Sequence, residues 1–539
     1  MRAFVDKVAG IEGGRTGFDR RDLVLIVLAV LLAAAIRLVF LRGVSSPDEL
    51  NYLRDAGECL RGRFELKNAL YLHDTRHLMF VPVAWSFAAL GVSEVTALLW
   101  PFLASLAVVV IVYLIALRLF GRETAVYTVF CAALLPLLVQ EATRLLPGVV
   151  MNLLFGLCAL CFVISEQVSR RRWIWLTLSG LFYAVIQTAG ELGIVLGCLF
   201  VAAVIFWRRY RLWTYWPAAA GFAVVTALIG AYFWIETGTP LFKVEMSRKL
   251  VVLIKAVSPH QPLYYTKLIL APFAAHGGVF YLTGIGCVAG LLEKRREALF
   301  VGAWFVMTWV LMEFGSVSFS EYRQLSKEVR YFSVVSVPAV IAAGYAMAWI
   351  RGVVGRRTIA CHRVLPAGAV VGVCVLVASM SVWTLQRHAD MSAYQANRRK
   401  LGDYVRSYEG KPIYVTHCRW NTEVGFFMRF EEEYFPSGYD PYHAVRLETA
   451  DSTSMNRYVQ TLTAGERIGP GLLVQDERLF RASRGEAEDR GVGLNEIPGV
   501  LAHIPSAWRL IERMEVSVGQ EVSLYDIPDG ATWPAGVQR

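Results

Sequence analysis

The chain alternates between long apolar runs and short polar segments that hold most of its charged residues. A membrane-spanning helix needs about 20 predominantly apolar residues, and eleven of the runs approach or exceed this length. The predicted spans are residues 23–41, 95–120, 125–139, 145–164, 173–187, 192–207, 215–235, 279–292, 299–314, 331–350 and 365–385. The pattern therefore predicts an all-α polytopic membrane domain of about eleven transmembrane helices over residues 22–385.

One further apolar run, residues 78–92, is too short for a span, and we interpret it as an interfacial or half-inserted helix. With this run excluded, the basic clusters at residues 170–172, 208–211 and 294–296 all fall on the side of the N-terminus. Cytoplasmic loops carry an excess of Lys and Arg, so this side is predicted to be cytoplasmic. Residues 1–21 then form a cytoplasmic N-terminus, and the loop at residues 45–77 lies on the exoplasmic side.

The composition changes at about residue 386, where long apolar runs give way to polar sequence with charges of both signs. Short β-type runs occur at residues 412–416, 471–475 and 522–525, with helical patterns such as residues 391–408 and 455–463 between them. This pattern predicts a compact α/β domain over residues 386–539. By the parity of the spans, the domain is exoplasmic.

Composition supports a membrane protein and excludes other classes. Of the 539 residues, 55% are hydrophobic and only 18% are charged, and the mean hydropathy is +0.45. Soluble domains carry about 25% charged residues. The formal net charge of +10 resides in short clusters between spans, so topology explains it and nucleic acid is not an expected partner. The nine cysteines show no paired CxxC motifs at zinc spacing, and no metal ligands are assigned.

An acidic stretch, Ser45-Ser46-Pro47-Asp48-Glu49, directly follows the first predicted span. Proline breaks the preceding helix and places the two carboxylates at the membrane surface. Charges at a membrane edge are costly unless they have a use, which favours a catalytic pair. The alternative is that the acids only cap an interfacial helix, because acidic residues favour helix N-termini.

Three motifs occur in a fixed order along the chain: Asp48-Glu49-x-x-Tyr52, then Thr-Arg-Leu-Leu-Pro at residues 143–147, then Lys-Glu-Val-Arg-Tyr-Phe at residues 327–332. With the predicted topology and a polar C-terminal domain, this order resembles the GT-C superfamily of integral-membrane glycosyltransferases. The similar branch contains the protein O-mannosyltransferases and the lipid A aminoarabinose transferase. The resemblance covers roughly residues 22–350.

The resemblance implies an enzyme that transfers a sugar from a polyprenyl-phosphate donor to a cell-envelope lipid or glycan. The reaction is expected at the exoplasmic face of the inner (plasma) membrane, where the donor and acceptor meet the bilayer. It requires a base for the acceptor hydroxyl and cations for the departing phosphate. Asp48 is the expected base, with Glu49 as the second carboxylate. The expected groups for the donor phosphate are Arg144, Lys327, Arg330 and Tyr331.

The chain departs from the family pattern at two places: Gly148 follows Pro147 where an acid is common, and Gly190-Glu191 replaces a common Lys-Glu pair. The resemblance implies no cofactor. Binding of a divalent cation is left open, and the loop residues 73–77 are one location where it could bind. Further candidates for substrate binding are Tyr52, His73, Asp74, His77, Glu141 and Glu191.

Two other functions remain open. A protein O-mannosyltransferase would use the same chemistry on a protein hydroxyl. A transporter or flippase of lipid-linked sugars would show internal repeats and midplane charges, and neither is evident in the sequence. Two smaller predictions concern single residues: Arg37 is expected to snorkel out of the first span, and Cys59 and Cys418 are candidates for a disulfide in an oxidising compartment.

Overall fold

The computed structural model describes a membrane part and several pieces of the C-terminal part. The described residues are 19–41, 43–44, 47–68, 72–190, 197–255, 263–316, 327, 329–357, 364–389, 397, 400–401, 403–404, 407, 413–415, 445–447, 470–476, 505–517, 520–529 and 531. Glu191, Cys418 and the helical pattern at residues 455–463 lie outside them.

Helices account for nearly all of the described membrane part. The α-helices are α1 Arg20–Val39, α2 Pro47–Leu60, α3 His77–Leu90, α4 Glu94–Phe120, α5 Arg122–Leu134, α6 Pro136–Ala142, α7 Pro147–Gln167, α8 Arg172–Val185, α9 Cys198–Phe206, α10 Trp216–Thr237, α11 Phe242–Lys255, α12 Tyr264–Leu270, α13 Pro272–Ala275, α14 Val279–Glu293, α15 Arg296–Phe314, α16 Ser336–Arg357 and α17 Val364–Ala389. Short 3₁₀ helices occur at Leu66–Asn68, Leu72–Thr75, Ile186–Thr188, Leu212–Tyr215 and Val329–Val335.

Within the described residues, seven helices are long and apolar enough to cross a membrane, or eight if α5 and α6 form one bent span. The α5–α6 pair bends by 59° at Leu135, whose extended backbone precedes Pro136. Proline cannot donate a helical hydrogen bond and disfavours a helical predecessor, which explains why residues 125–139 are not one straight span. A polytopic helical protein is confirmed, whereas the count of eleven spans stays a prediction.

Helix α3 corresponds to the short apolar run. It has 14 residues and contains Pro82, and it is not among the helices long enough to span a membrane. A helix of this length rises about 21 Å, less than the roughly 30 Å of a bilayer core. Its length thus agrees with the interfacial interpretation, and its orientation stays a prediction.

Close helix contacts in the membrane part depend on small residues. Helices α8 and α10 cross where Gly180 faces the carbonyl of Ala218 and Gly221 faces the carbonyl of Thr177. A Cβ on either glycine would lie less than 3.0 Å from that carbonyl oxygen. Such contacts replace the hydrophobic driving force that is lacking between helices in lipid.

Arg37 contradicts the snorkelling prediction. Its side chain is fully buried, and its Nε donates to Ser105 Oγ at 2.6 Å while a terminal nitrogen donates to Ala33 O at 3.1 Å. The prediction was wrong because it treated α1 as a lone helix in lipid, whereas α4 supplies a polar partner for the guanidinium.

The chain divides into two compact units. The first comprises residues 1–43, 65–82 and 98–388, and the second comprises residues 44–64, 83–97 and 389–539. The acidic stretch with α2 thus belongs to the second unit. Within that unit, the amide of Val44, three residues before α2, donates to Glu94 Oε1 at the start of α4, at 3.0 Å.

The second unit also contains a five-stranded mixed sheet. Its strands are β1 Ile413–Val415, β2 Val445–Leu447, β3 Gly471–Asp476, β4 Arg509–Ser517 and β5 Gln520–Ile527, in the order β2-β1-β3-β5-β4. Strand β1 pairs in parallel with both β2 and β3. Strand β5 pairs antiparallel with both β3 and β4.

Three of these strands, β1, β3 and β5, confirm the predicted β-type runs. Strands β2 and β4 were not predicted, and in β4 apolar and charged residues alternate. This alternation is typical of a strand with one face in water, and β4 indeed forms an edge of the sheet. The exoplasmic position of this region stays a prediction.

Candidate active site

The acidic stretch forms the start of α2. Pro47 occupies the first turn together with Asp48 and Glu49, an arrangement that suits both the fixed φ of proline and the positive end of the helix dipole. Glu49 and Tyr52 are fully buried, whereas Asp48 is half-buried. A surface cap would leave its carboxylate in water, so the burial of Glu49 favours the functional interpretation over simple capping.

The following turns of α2 continue the polar face. Asp55 lies seven residues after Asp48, two turns further along the same face of α2, and it is almost fully buried. Arg54 donates to Asp55 Oδ1 at 2.8 Å. Further on, burial and then the nearby carboxylates Asp55 and Glu58 raise the pKa of the Cys59 thiol to about 11. The bridge from Cys59 to Cys418 stays a prediction, because Cys418 lies outside the described residues.

The second motif joins α6 to α7. Glu141, at the end of α6, is 2% exposed, and Thr143 in the turn is fully buried. The Thr143 hydroxyl lies 3.2 Å from the carbonyl oxygen of Gln140. Arg144 follows in the same turn and is half-buried. Pro147 then starts α7 at the position where a missing N–H costs least.

Gly148 explains one departure from the family pattern. A Cβ at this residue would lie less than 3.0 Å from both Glu141 Oε2 and Ser333 Oγ. The carboxylate of Glu141 thus occupies the space beside residue 148, where the family commonly has an acid. The absence of a side chain at Gly148 leaves room for this carboxylate.

The third motif forms the 3₁₀ helix Val329–Val335, which carries Arg330 and Tyr331. The guanidinium carbon of Arg330 lies 5.0 Å from the centre of the Tyr331 ring, and a terminal nitrogen lies 3.4 Å from its hydroxyl. Both side chains are half-buried. They form a cationic and hydrogen-bonding pair of the kind that suits a phosphate.

The surrounding residues hold this 3₁₀ helix in place. Asn152 on α7 donates to the carbonyl oxygen of Ser333 at 3.0 Å. Phe332 is stacked on Tyr265 of α12, with ring centres 4.7 Å apart and planes at 12°. Both aromatic rings are fully buried. The backbone next to Arg330 and Tyr331 is therefore fixed from two sides.

Lys327 has a different environment from the other proposed phosphate ligands. Its ammonium donates to the carbonyl oxygen of Met312 at 2.8 Å and pairs with Glu313 Oε1 at 2.9 Å. Only 4% of the Lys327 side chain is exposed, and it lies over the Tyr265 ring at 4.7 Å. Burial lowers the pKa of Lys327, although Glu313 opposes this shift. The geometry favours a structural role at the end of α15.

The candidate residues around the start of α3, His73, Asp74 and His77, lie in the first unit. Asp74 is buried and His73 half-buried, and the Nε2 of His77 lies 3.1 Å from the Tyr232 hydroxyl. Burial, and then the charge of Lys243, lower the pKa of His77 to about 4. Among the residues that the structure describes, no three His, Cys, Asp or Glu side chains come together as a potential metal site.

Some residues of this region escaped the sequence analysis. Glu313 accepts from the backbone amide of Thr266 at 2.7 Å and from its hydroxyl at 3.0 Å, in addition to pairing with Lys327. An acid at the end of an apolar run was the available signal, because ionisable residues in spans usually have a partner. Asn152 gave no such signal, since its partner Ser333 lies 181 positions away.

A family model described as dolichyl-phosphate-mannose-protein mannosyltransferase matches residues 77–234. None of the curated proteins matches the chain.

Solved structures show the same fold. ArnT from Cupriavidus metallidurans in the apo state has a TM-score of 0.64 and 16% identity, covering 94% of this chain and 98% of its own. The same protein bound to undecaprenyl phosphate gives a TM-score of 0.63, with 15% identity and coverage of 93% and 98%.

A third similar structure is more distant. The apo oligosaccharyltransferase of Archaeoglobus fulgidus has a TM-score of 0.54 and 9% identity, covering 75% of this chain and 63% of its own. The shared fold and the family-model match over residues 77–234 confirm the resemblance of this chain to the GT-C superfamily of integral-membrane glycosyltransferases.

Proposed function

We propose that this protein transfers a sugar from a polyprenyl-phosphate donor to a lipid or glycan of the cell envelope, at the exoplasmic face of the inner membrane. One observation carries the proposal: a buried acidic helix start directly follows the first candidate span of a chain whose fold matches ArnT over 94% of its length. ArnT has been crystallised with undecaprenyl phosphate, which supports a donor of that class here.

The proposed reaction is a displacement at the anomeric carbon of the donor sugar. Asp48 accepts the proton of the acceptor hydroxyl, and the acceptor oxygen forms a bond to the anomeric carbon. The bond between that carbon and the phosphate oxygen breaks, and the phosphate leaves with the electron pair. Glu49 is assigned to orienting Asp48, because it is adjacent and held by burial.

The developing phosphate charge requires cations. Arg144 and Arg330 are assigned this role, with the Tyr331 hydroxyl as a hydrogen-bond donor. Lys327 is reassigned to a structural role at the end of α15, because its ammonium already pairs with Glu313.

The acceptor defines a second candidate function. The matching family model describes protein mannosyltransferases, which favours a protein hydroxyl as the alternative acceptor. The same donor chemistry serves both, so an acceptor panel of envelope lipids, glycans and Ser- or Thr-containing peptides distinguishes them.

The test is an assay of the purified protein with polyprenyl-phosphate sugars and each acceptor class, read by mass spectrometry of the acceptor. Wild-type protein is expected to add the mass of one sugar. Asp48→Asn keeps the size of the side chain but cannot accept a proton, so transfer should fall by about 10²–10⁴-fold. Donor binding should persist.

Glu58→Gln is the matched control, since it removes a carboxylate from the same helix, about three turns further along. It should retain near wild-type transfer. Undiminished transfer by Asp48→Asn would refute the assignment of the base. A protein that moves lipid-linked sugars but never modifies an acceptor would instead be the transporter.

The orientation can be checked separately. Arg170 is exposed in the turn between α7 and α8, and the proposal places this turn in the cytoplasm. Arg170→Cys should therefore resist a membrane-impermeant thiol reagent in intact cells and react after permeabilisation. Labelling from outside would contradict the proposed orientation.

A further inference from the structure

We propose that Gly148 is a positioning residue. Because it has no side chain, the turn that carries Arg144 and the 3₁₀ helix that carries Arg330 and Tyr331 both pack closely against α7, and this packing sets the distance between them. The inference deepens the proposed function, on which its consequence for donor binding rests. Its structural part concerns only the packing of α6, α7 and the 3₁₀ helix Val329–Val335.

Residue 148 has little space for a side chain. A Cβ at residue 148 would lie less than 3.0 Å from Glu141 Oε2, which belongs to α6, and equally close to Ser333 Oγ, which belongs to the 3₁₀ helix. Both contacts are shorter than real Cβ atoms show. Both contacting atoms belong to side chains, so a methyl group here must displace the Glu141 carboxylate and the Ser333 hydroxyl, and it moves α6 and the 3₁₀ helix as far as these side chains cannot turn away.

The residues around Gly148 are buried and leave little room for adjustment. Glu141 is 2% exposed, Asn152 1% and Ser333 0%. The carbonyl of Ser333 is held by Asn152, one turn after Gly148 on the same face of α7. Phe332 is stacked on Tyr265. Close-packed surroundings of this kind transmit a displacement rather than absorb it.

The two residues that face Gly148, Glu141 and Ser333, lie close in the chain to the candidate phosphate ligands Arg144 and Arg330. In a 3₁₀ helix, residues three apart eclipse each other, so Ser333 lies directly under Arg330. Glu141 precedes Arg144 by three residues at the end of α6. A methyl group at residue 148 would therefore move both arginine-bearing segments, and the distance between them would change.

The experiment compares Gly148→Ala with Gly156→Ala, a control two turns further along α7. A Cβ at residue 156 would meet only Ile111, with its Cγ2 at 2.9 Å, so this control perturbs helix packing without touching the polar contact. Hydrogen exchange of the amides of residues 141–146 and 329–335 is measured in detergent, without any substrate. The KM for the polyprenyl-phosphate sugar is measured in parallel.

Gly148→Ala should accelerate exchange in both segments, and Gly156→Ala in neither. The donor KM should rise about tenfold with a smaller change in kcat, because ground-state binding is what the displaced arginines lose. Adding Ser333→Ala to Gly148→Ala removes one of the two clashes and should slow exchange again in residues 329–335. Adding Glu141→Asp to Gly148→Ala should likewise slow exchange in residues 141–146.

Equal exchange in Gly148→Ala and wild type would overturn the inference, as would an equal acceleration by Gly156→Ala. If Gly148→Ala does not fold, the double variant with Ser333→Ala must restore folding, and failure to do so would also overturn it. A wild-type protein that transfers no sugar would refute the proposed function alone, because the exchange measurement still decides whether Gly148 positions the two segments.

Discussion

The two ends of helix α7 differ in how completely the buried polar groups beside them are hydrogen-bonded. At its C-terminal end, Glu166 accepts from Arg172 at 3.2 Å, from the Arg209 amide at 3.0 Å and from the Tyr215 hydroxyl at 2.9 Å. Arg172 also lies 4.0 Å from the centre of the Tyr210 ring. Both oxygens of this carboxylate are thus engaged by groups from three neighbouring segments.

The N-terminal end is polar but less completely bonded. Three buried atoms there, Asn152 Oδ1, Ser333 Oγ and Ser336 Oγ, have no hydrogen-bond partner within the part of the chain that the structure describes. Buried polar groups without partners are rare in proteins and concentrate where function requires them. The comparison suggests that one end of the helix contributes stability and the other serves the reaction.

The largest expected effect is on stability, at the Glu166 end. Glu166→Ala leaves the Arg172 guanidinium, only 12% exposed, without its acid, and breaking a buried pair costs about 3–5 kcal/mol. The free energy of unfolding, from titration with a denaturing detergent, should fall by this amount. The donor KM of the remaining folded protein should not change.

The matched control for this change is Glu123→Ala, whose pair with Arg351 is about half exposed on both sides. A pair of this kind contributes about 0–1 kcal/mol. A large KM change in Glu166→Ala, without loss of stability, would contradict the division between the two ends.

The next effect is on catalysis, at the other end. Arg330→Ala removes a proposed phosphate ligand, and kcat/KM should fall by about 10²–10³-fold with little change in unfolding free energy. Arg330→Lys should recover only part of the loss, because lysine lacks the planar fork of donors. Full recovery by lysine would show that charge alone matters at this position.

A smaller effect tests the reassigned lysine. Lys327→Met leaves Glu313 buried but still bonded to Thr266, so we expect a loss of about 2–3 kcal/mol in unfolding free energy. Adding Glu313→Gln should restore much of this stability, and transfer activity with it. If activity stayed low in the restabilised double variant, Lys327 would be a phosphate ligand after all.

The smallest effect is a pH dependence at His77. Burial and then Lys243 lower its pKa from 6.5 to about 4, so the folded protein keeps this histidine neutral while the unfolded chain takes up a proton. Stability should therefore decrease as the pH falls from 6.5 towards 4, by about 1 kcal/mol per pH unit. His77→Gln should flatten this part of the stability profile. Parallel profiles would show that other groups cause the dependence.

Local patterns allowed much of the helical part to be predicted. Apolar runs mark the positions of helices because a span must satisfy its own backbone hydrogen bonds in lipid. Proline and two acids marked the start of α2 for equally local reasons. The β-type runs at β1, β3 and β5 were recognised from composition, whereas β2 and β4 were not predicted.

The roles of individual charges could not be read in this way. Lys327 and Arg330 are three residues apart in one motif, yet Glu313 engages the lysine while the arginine lies against Tyr331. Arg37 is buried because Ser105, 68 positions away, is its partner. These outcomes depend on which distant residues fold next to each charge.

By itself, the sequence determined the helical membrane architecture, the order of the three motifs and the position of the acidic stretch. Only the tertiary structure decided that Glu141 fills the space beside Gly148, that Asn152 holds the Ser333 carbonyl and that Lys327 supports α15. The physical reason is that helix formation follows local hydrogen bonding and apolar periodicity, whereas a buried polar group takes whichever partner the packing of distant segments brings within reach.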